Sequence, residues 1–216
     1  MTSPDRALSL RERKKLRTRQ ALADTALGLC VSKGFDAMTL DELVDSVEVS
    51  KRTFFRHFAS KEDAVFTPGR QLWTAVLADL TERPLTGRLI DLLRDTLIDT
   101  VQSMDERVDG HEQPWSDRFL TLELVESTPA LRAYGLAYCA DVCDEAVRLL
   151  SGRLGTDDGG LALRMVVELW ITGWHVGSRG WRSTSGEGGA AGLSQHLLAV
   201  FDVLADTLTL SASPRS

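Results

Sequence analysis

Apolar residues recur at intervals of three and four along almost the whole chain, and no stretch shows the two-residue alternation of a half-buried strand. That rhythm gathers apolar side chains on one face of an α-helix, so the expected fold class is all-α. The expected helices span about 10–33, 39–47, 50–58, a short stretch opening at Ser60, then 71–81, 88–108, 115–126, 129–153, 161–182 and 193–210. Between them the rhythm stops and turn chemistry takes over, at Gly34, Pro68-Gly69, Arg83-Pro84, Asp109-Gly110-His111-Glu112, Thr128-Pro129, Gly155 to Gly160 and the glycine-rich stretch 183–192. The last of these reads as a mobile connection, Gly34 as a left-handed C-cap and residues 1–9 as frayed. With 216 residues, 43% of them hydrophobic, the chain has apolar mass for one or two cores. A boundary at Pro68 would divide it into units 1–67 and 68–216.

Several classes are excluded early. The longest apolar stretch, 161–174, is interrupted by Arg164 and Glu168, so no run reaches the roughly 20 residues that span a bilayer. The N-terminus is polar and basic and has no apolar signal segment, so a cytoplasmic protein without a membrane partner is expected. Three cysteines, Cys30, Cys139 and Cys143, are too few for a disulfide framework.

The net charge of −6 argues against a nucleic-acid binder until its distribution is considered. Residues 1–66 hold twelve Lys and Arg against ten Asp and Glu, whereas residues 67–216 hold thirteen against twenty-one. Arg6, Arg11, Arg13, Lys14, Lys15, Arg17 and Arg19 form a basic arm broken only by Glu12. An acidic body behind a basic end would orient the molecule on DNA.

Just behind that arm the start signals are closely spaced. Thr39 precedes Leu40-Asp41-Glu42, a T-x-x-E capping box. Ser50 caps the next helix, and Ser60-Lys61-Glu62-Asp63 opens a further one with acid in its first turn. Two short helices joined by a tight turn, the second beginning with basic residues, form the pattern of a helix-turn-helix. Leu40, Leu43, Val44 and Val47 would pack the first helix on the long N-terminal one. Val49, Phe54 and Phe58 would anchor the second, leaving Lys51, Arg52, Phe55 and Arg56 for the major groove or solvent. Thr39, His57 and Lys61 are placed to meet phosphates.

Residues 16–66 resemble the tetracycline-repressor (TetR) family of bacterial regulators. The resemblance rests on the basic helix ending at Gly34-Phe35, on Met38-Thr39-Leu40-Asp41-Glu42-Leu43, and above all on the run Val49-Ser50-Lys51-Arg52-Thr53-Phe54-Phe55-Arg56-His57-Phe58 followed by Ser60-Lys61-Glu62-Asp63. The Arg-Thr-Phe-Phe-Arg-His-Phe variant is most similar to an actinobacterial-type subgroup, some of whose members resemble regulators of mycofactocin-type gene clusters. The resemblance implies a three-helix DNA-binding domain followed by a helical ligand-binding and dimerisation domain. It implies DNA contacts from Thr39, Ser50, Lys51, Arg52, Thr53, Phe55, Arg56, His57 and Lys61. Two positions depart from the family pattern: Phe55 replaces a common tyrosine, and Arg52 stands where a small residue is common.

Helices 161–182 and 193–210 are apolar on more than one face, as expected of helices buried on one side in a core and on the other in a homodimer. Trp73, Met104, Phe119, Tyr134, Tyr138, Trp170 and Trp174 are large side chains on helices around the expected interior. With His175 as a polar handle they are the candidate lining of a hydrophobic effector pocket, alongside ordinary core packing as the competing reading. The expected function is that of a dimeric one-component regulator, a repressor released from a palindromic operator by a small hydrophobic ligand, with no cofactor, metal or catalytic activity. The competing expectations are an all-helical enzyme or redox protein using Cys139 and Cys143, four apart on one helical face, and a helical interaction protein that does not use its helix-turn-helix on DNA.

Overall fold

A computed structural model describes residues 9–106, 115–155 and 160–207. Arg6, the expected break at 109–112, the interior of the 155–160 break and the expected helix end at 208–210 lie outside the described residues. The described residues fold into ten helices and no strand. These are α1 (Leu10–Lys33), α2 (Leu40–Ser46), α3 (Lys51–Phe55), α4 (Lys61–Val65), α5 (Thr67–Glu82), α6 (Leu89–Glu106), α7 (Trp115–Ser127), α8 (Pro129–Leu154), α9 (Leu161–Ser183) and α10 (Gly189–Thr207).

Helix ends follow local chemistry. Ser9, expected to be frayed, caps α1 in a full reciprocal box with Glu12. At Thr39 the reciprocal half of the expected box is missing. The Thr39 hydroxyl accepts from the Glu42 amide at 3.2 Å, but the Glu42 carboxylate is drawn to Lys33 on α1. Gly34 ends α1 at φ +87°, ψ 153°, a backbone that needs glycine but lies outside the left-handed helical region expected there. The third helix stops a turn earlier than expected, at Phe55, and the Phe58 N–H donates a hydrogen bond to the Phe54 carbonyl at 2.9 Å. The expected break at Pro68-Gly69 falls too late: α4 and α5 part at Phe66, and Pro68 is a first-turn residue of α5, where its missing N–H is harmless.

Two clusters of buried apolar side chains result. One joins α1 to α4 through Leu22, Ala26, Phe35, Leu43, Phe54, Phe58 and Val65, and Leu131 of α8 inserts into it. The other fills the space between α5, α6, α8, α9 and α10. There α9 and α10 approach closely because Gly173 and Gly177 face the Phe201 ring and Leu197.

The glycine-rich link 183–192 is a packed turn rather than the expected mobile connection. The Trp181 indole N–H donates to the Glu187 carbonyl at 3.0 Å, Gly186 takes φ +71° against the Phe119 ring, and α10 already begins at Gly189.

Candidate nucleic-acid interface and ligand cavity

The pair α2–α3 is joined by a turn of Val47-Glu48-Val49, in which Glu48 holds φ +54°. Ser50 caps α3 by accepting from the Thr53 amide at 3.1 Å, and its hydroxyl also bonds the Thr53 hydroxyl. Phe54 and Phe58 are buried, their rings 5.6 Å apart, and fix α3 against α1 and α4. Burying these two turns Lys51, Arg52, Phe55 and Arg56 outward to solvent, together with Thr39 and Ser50. Lys51 is paired with Asp41 of α2 at 2.6 Å. Arg52 and Arg56 make no ion pair among the described residues. Phe55 is 57% exposed, its ring meeting Phe54 edge-on at 5.4 Å and otherwise open to solvent. On α1, Arg11, Arg13, Lys14, Lys15 and Arg17 are all exposed and extend the same basic unit.

Two expected phosphate ligands are differently engaged. His57 is only 8% exposed, and neither ring nitrogen reaches solvent or a partner. Burial, with Arg56, Arg19 and Lys15 nearby, lowers its pKa, so the ring is neutral and turned inward, not offered to a phosphate. The backbone packing of Phe54 and Phe58 on either side dictates this, and Arg19 closes over the site by donating to the His57 carbonyl at 3.1 Å and lying over the Phe58 ring. Lys61 is half-buried. Its amine donates to the carbonyls of Phe35 and Met38 at 3.0 and 3.2 Å and sits over the Phe35 ring, tying the α1–α2 turn to α4.

Behind α4 lies a polar joint. Asp63, buried, accepts from the Ala59 amide at 2.9 Å, pairs with Arg70 of α5 at 2.5 Å and accepts from the Tyr134 hydroxyl of α8 at 2.9 Å. Burial and the Asp63 charge push the Tyr134 phenol up to about 12. Phe66, the residue between α4 and α5, packs on the rings of Tyr134 and Tyr138.

Phe66 also borders a cavity of about 280 Å³. The cavity is built from matching helical faces. Pro68, Gly69, Leu72 and Trp73 come from α5, Arg118, Thr121, Leu122, Val125 and Glu126 from α7, and Arg132, Gly135, Leu136 and Cys139 from α8. Trp174, His175, Ser178, Arg179 and Arg182 of α9 and Leu193 of α10 complete it.

Of the eight expected lining residues, Trp73, Trp174 and His175 are there. The other five are not. Trp170 packs edge-on against Trp73 inside the core, Met104 is buried core, and Phe119 packs on Trp181. Tyr134 serves the Asp63 joint, and Tyr138 packs on Phe66 beneath Arg70. Side-chain size does not mark this wall, which is formed as much by arginines. Their signal was phase: Arg182 follows Trp174, His175, Ser178 and Arg179 on one α9 face, and Arg118 shares a face with Leu122 and Val125. Burial and Arg179 lower the His175 pKa, so the cavity's charge comes from guanidinium groups and Glu126.

Cys139 and Cys143 are free and buried, and burial pushes both thiols up to about 12. Thiols so held are not thiolates at neutral pH, and the thiolate is the reactive form. No described group of three or more His, Cys, Asp or Glu is arranged to hold a metal ion, and no described helix is long and apolar enough to cross a membrane.

A capped helix-turn-helix with a basic outer face, carried on a larger helical unit, defines a DNA-binding regulator. The family of bacterial regulatory proteins named for TetR matches residues 22–65. The chain is also 33% identical over 177 residues to the HTH-type transcriptional regulator TcmR of Streptomyces glaucescens, covering 80% of this chain and 76% of TcmR. The chain therefore belongs to the TetR family of DNA-binding transcriptional regulators. A solved structure of reduced E. coli NemR aligns with 92% of this chain and all of that chain, at 20% identity and a TM-score of 0.39.

Proposed function

We propose that the protein is a homodimeric, cytoplasmic, non-enzymatic repressor that holds a palindromic operator and leaves it when a small molecule fills the cavity beside Phe66. The observation that carries this reading is the position of Phe66. It lines the cavity and directly follows α4, the helix that packs on α1 and is anchored to α8 through Asp63 and Tyr134. A ligand that displaces Phe66 would bias the placement of α4, and with it the recognition helix, between two arrangements.

Dimerisation through α9 and α10 is supported by their outer faces. Leu161, Met165 and Val176 on α9, and Leu198 and Val203 on α10, are exposed although the opposite faces are buried in the core. A dimer sets two copies of α3 about one DNA turn apart, roughly 34–36 Å, which selects a palindrome. The test is an electrophoretic shift over the gene's own upstream region, paired with sedimentation analysis. Retardation at low salt by a species of twice the chain mass is expected. No retardation, or binding by a monomer, would count decisively against the proposal.

A further inference from the structure

We propose that the cavity selects an organic acid: a compact aromatic body carrying one carboxylate or comparably acidic group. This rests on the reading of the cavity as the effector site and adds the chemistry that it selects.

The wall is divided. Phe66, Leu72, Trp73, Leu122, Trp174 and Leu193 form an apolar, ring-rich part. Trp73 and Trp174 meet edge to face at 5.5 Å, leaving aromatic surface toward the space. Such a wall favours a flat apolar body. At about 280 Å³ the space sits near the lower end of the roughly 300–1,000 Å³ usual for ligand sites, so the body is small.

The remainder of the wall is cationic. Arg118, Arg132, Arg179 and Arg182 line it against one carboxylate, Glu126. Arg182 is held by Glu123 at 3.2 Å and Glu126 at 3.3 Å, and Arg132 stands 4.0 Å from Glu126. Arg182 and Arg132 therefore each have a carboxylate at hand among the described residues. Arg179 makes no ion pair among the described residues, and Arg118 is only 6% exposed. Guanidinium groups beside an apolar wall favour a planar oxyanion, which they bind by charge-assisted, often bidentate hydrogen bonds. A cationic ligand would be repelled. A neutral one would take up apolar wall and leave the Arg179 guanidinium without an anionic partner. Inorganic anions would leave the aromatic wall unused.

The experiment is calorimetric titration of the full-length protein with benzoate, 2-naphthoate and 9-anthroate, each beside its primary amide. The amide keeps the shape but removes the charge and replaces one of the two acceptor oxygens with an NH2 donor. At least one acid is expected to bind at least about tenfold more tightly than its amide. Arg179→Gln, a change at an exposed side chain, is expected to remove about tenfold of the acid's affinity and to change any amide affinity by much less. Arg88→Gln, on the exposed approach to α6, is expected to leave both unchanged. Amides that bind as tightly as their acids overturn the acid preference and leave the cavity standing as an effector site. Acid affinity untouched by Arg179→Gln overturns it as well. If no acid binds, the acid proposal fails. Separately, an operator shift that bound acid does not weaken counts against release by the ligand and not against the ligand's chemistry.

Discussion

Arg52 lies in α3 and His57 two residues past its end, and burial gives them opposite roles. Arg52 is exposed and makes no ion pair among the described residues, so its guanidinium is available to read a guanine edge through a bidentate contact. Arg52→Ala should weaken operator binding by about 1–3 kcal/mol and relax base preference at one position of each half-site, with the sedimentation of the protein unchanged. Competition binding against single-base operator variants measures both. His57 is buried with two unpartnered ring nitrogens, and its pKa is held below the ordinary 6.5 by burial and by neighbouring arginines. A depressed folded-state pKa means that the unfolded chain takes up a proton first. The stability from neutral His57 is thus fully present above about pH 6.5 and is lost as pH falls through the depressed value, with a slope of at most about 1.4 kcal/mol per pH unit. His57→Phe removes the titration and both unpartnered nitrogens. Its unfolding free energy at pH 7 should equal or exceed that of the native protein. Its loss of stability between pH 6.5 and 5 should be shallower, with the remainder assigned to His175, also shifted down. Denaturant titrations across that range that superimpose for the two proteins would refute the assignment.

At the scale of elements, what can be read from sequence divides along the line between local and tertiary chemistry. The caps at Thr39, Ser50 and Ser60, and the buried pair Phe54–Phe58, act within one or two helical turns, so α2, α3 and α4 were legible with their outward residues. The cavity is different: its wall is drawn from five helices, α5, α7, α8, α9 and α10, and depends on how they lean together. Trp73, Trp174 and His175 reach it, whereas Trp170 is one turn away from Trp174 and disappears into the core. Ring size gives no information about that rotation. The 183–192 link was misread for a related reason, because glycine content alone does not distinguish looseness from close approach. The same ambiguity within α9 yields a test. A Cβ built on Gly177 would lie 2.7 Å from the Leu197 Cδ2 and 3.1 Å from its Cα. The backbone contact cannot yield by a rotamer change, so Gly177→Ala must part α9 from α10. It should cost about 1–3 kcal/mol despite the better helix propensity of alanine. Gly28→Ala, with open space around its Cβ on α1, should instead be stabilising, and the two melting temperatures should move in opposite directions.

On the scale of the whole molecule, the uneven charge sets how it meets DNA. Arg11, Arg13, Lys14, Lys15 and Arg17 lie exposed along α1, Lys51, Arg52 and Arg56 lie exposed on and just after α3, and the acidic excess is confined to residues 67–216. A polyanion therefore attracts one end and repels the other, which orients the encounter before any base is read. Each phosphate contact releases condensed counterions, so log affinity should fall linearly with log salt, with a slope near −0.9 per contact. If each protomer of the proposed dimer makes about four such contacts, the slope is about −7. Replacing both Lys14 and Lys15 with glutamine removes up to two contacts per protomer. It should make the slope shallower by about 3 to 4 while leaving the ranking of operator variants intact, because phosphates carry no sequence information. Arg52→Ala should do the reverse, disturbing the ranking more than the slope. The two signatures are read from one set of titrations between 50 and 200 mM salt, about the range over which this dependence is usually measured. If the lysine pair left the slope unchanged, Lys14 and Lys15 would not be touching the duplex, and the phosphate footprint would have to come from the arginines of α1 together with α2, α3 and the start of α4.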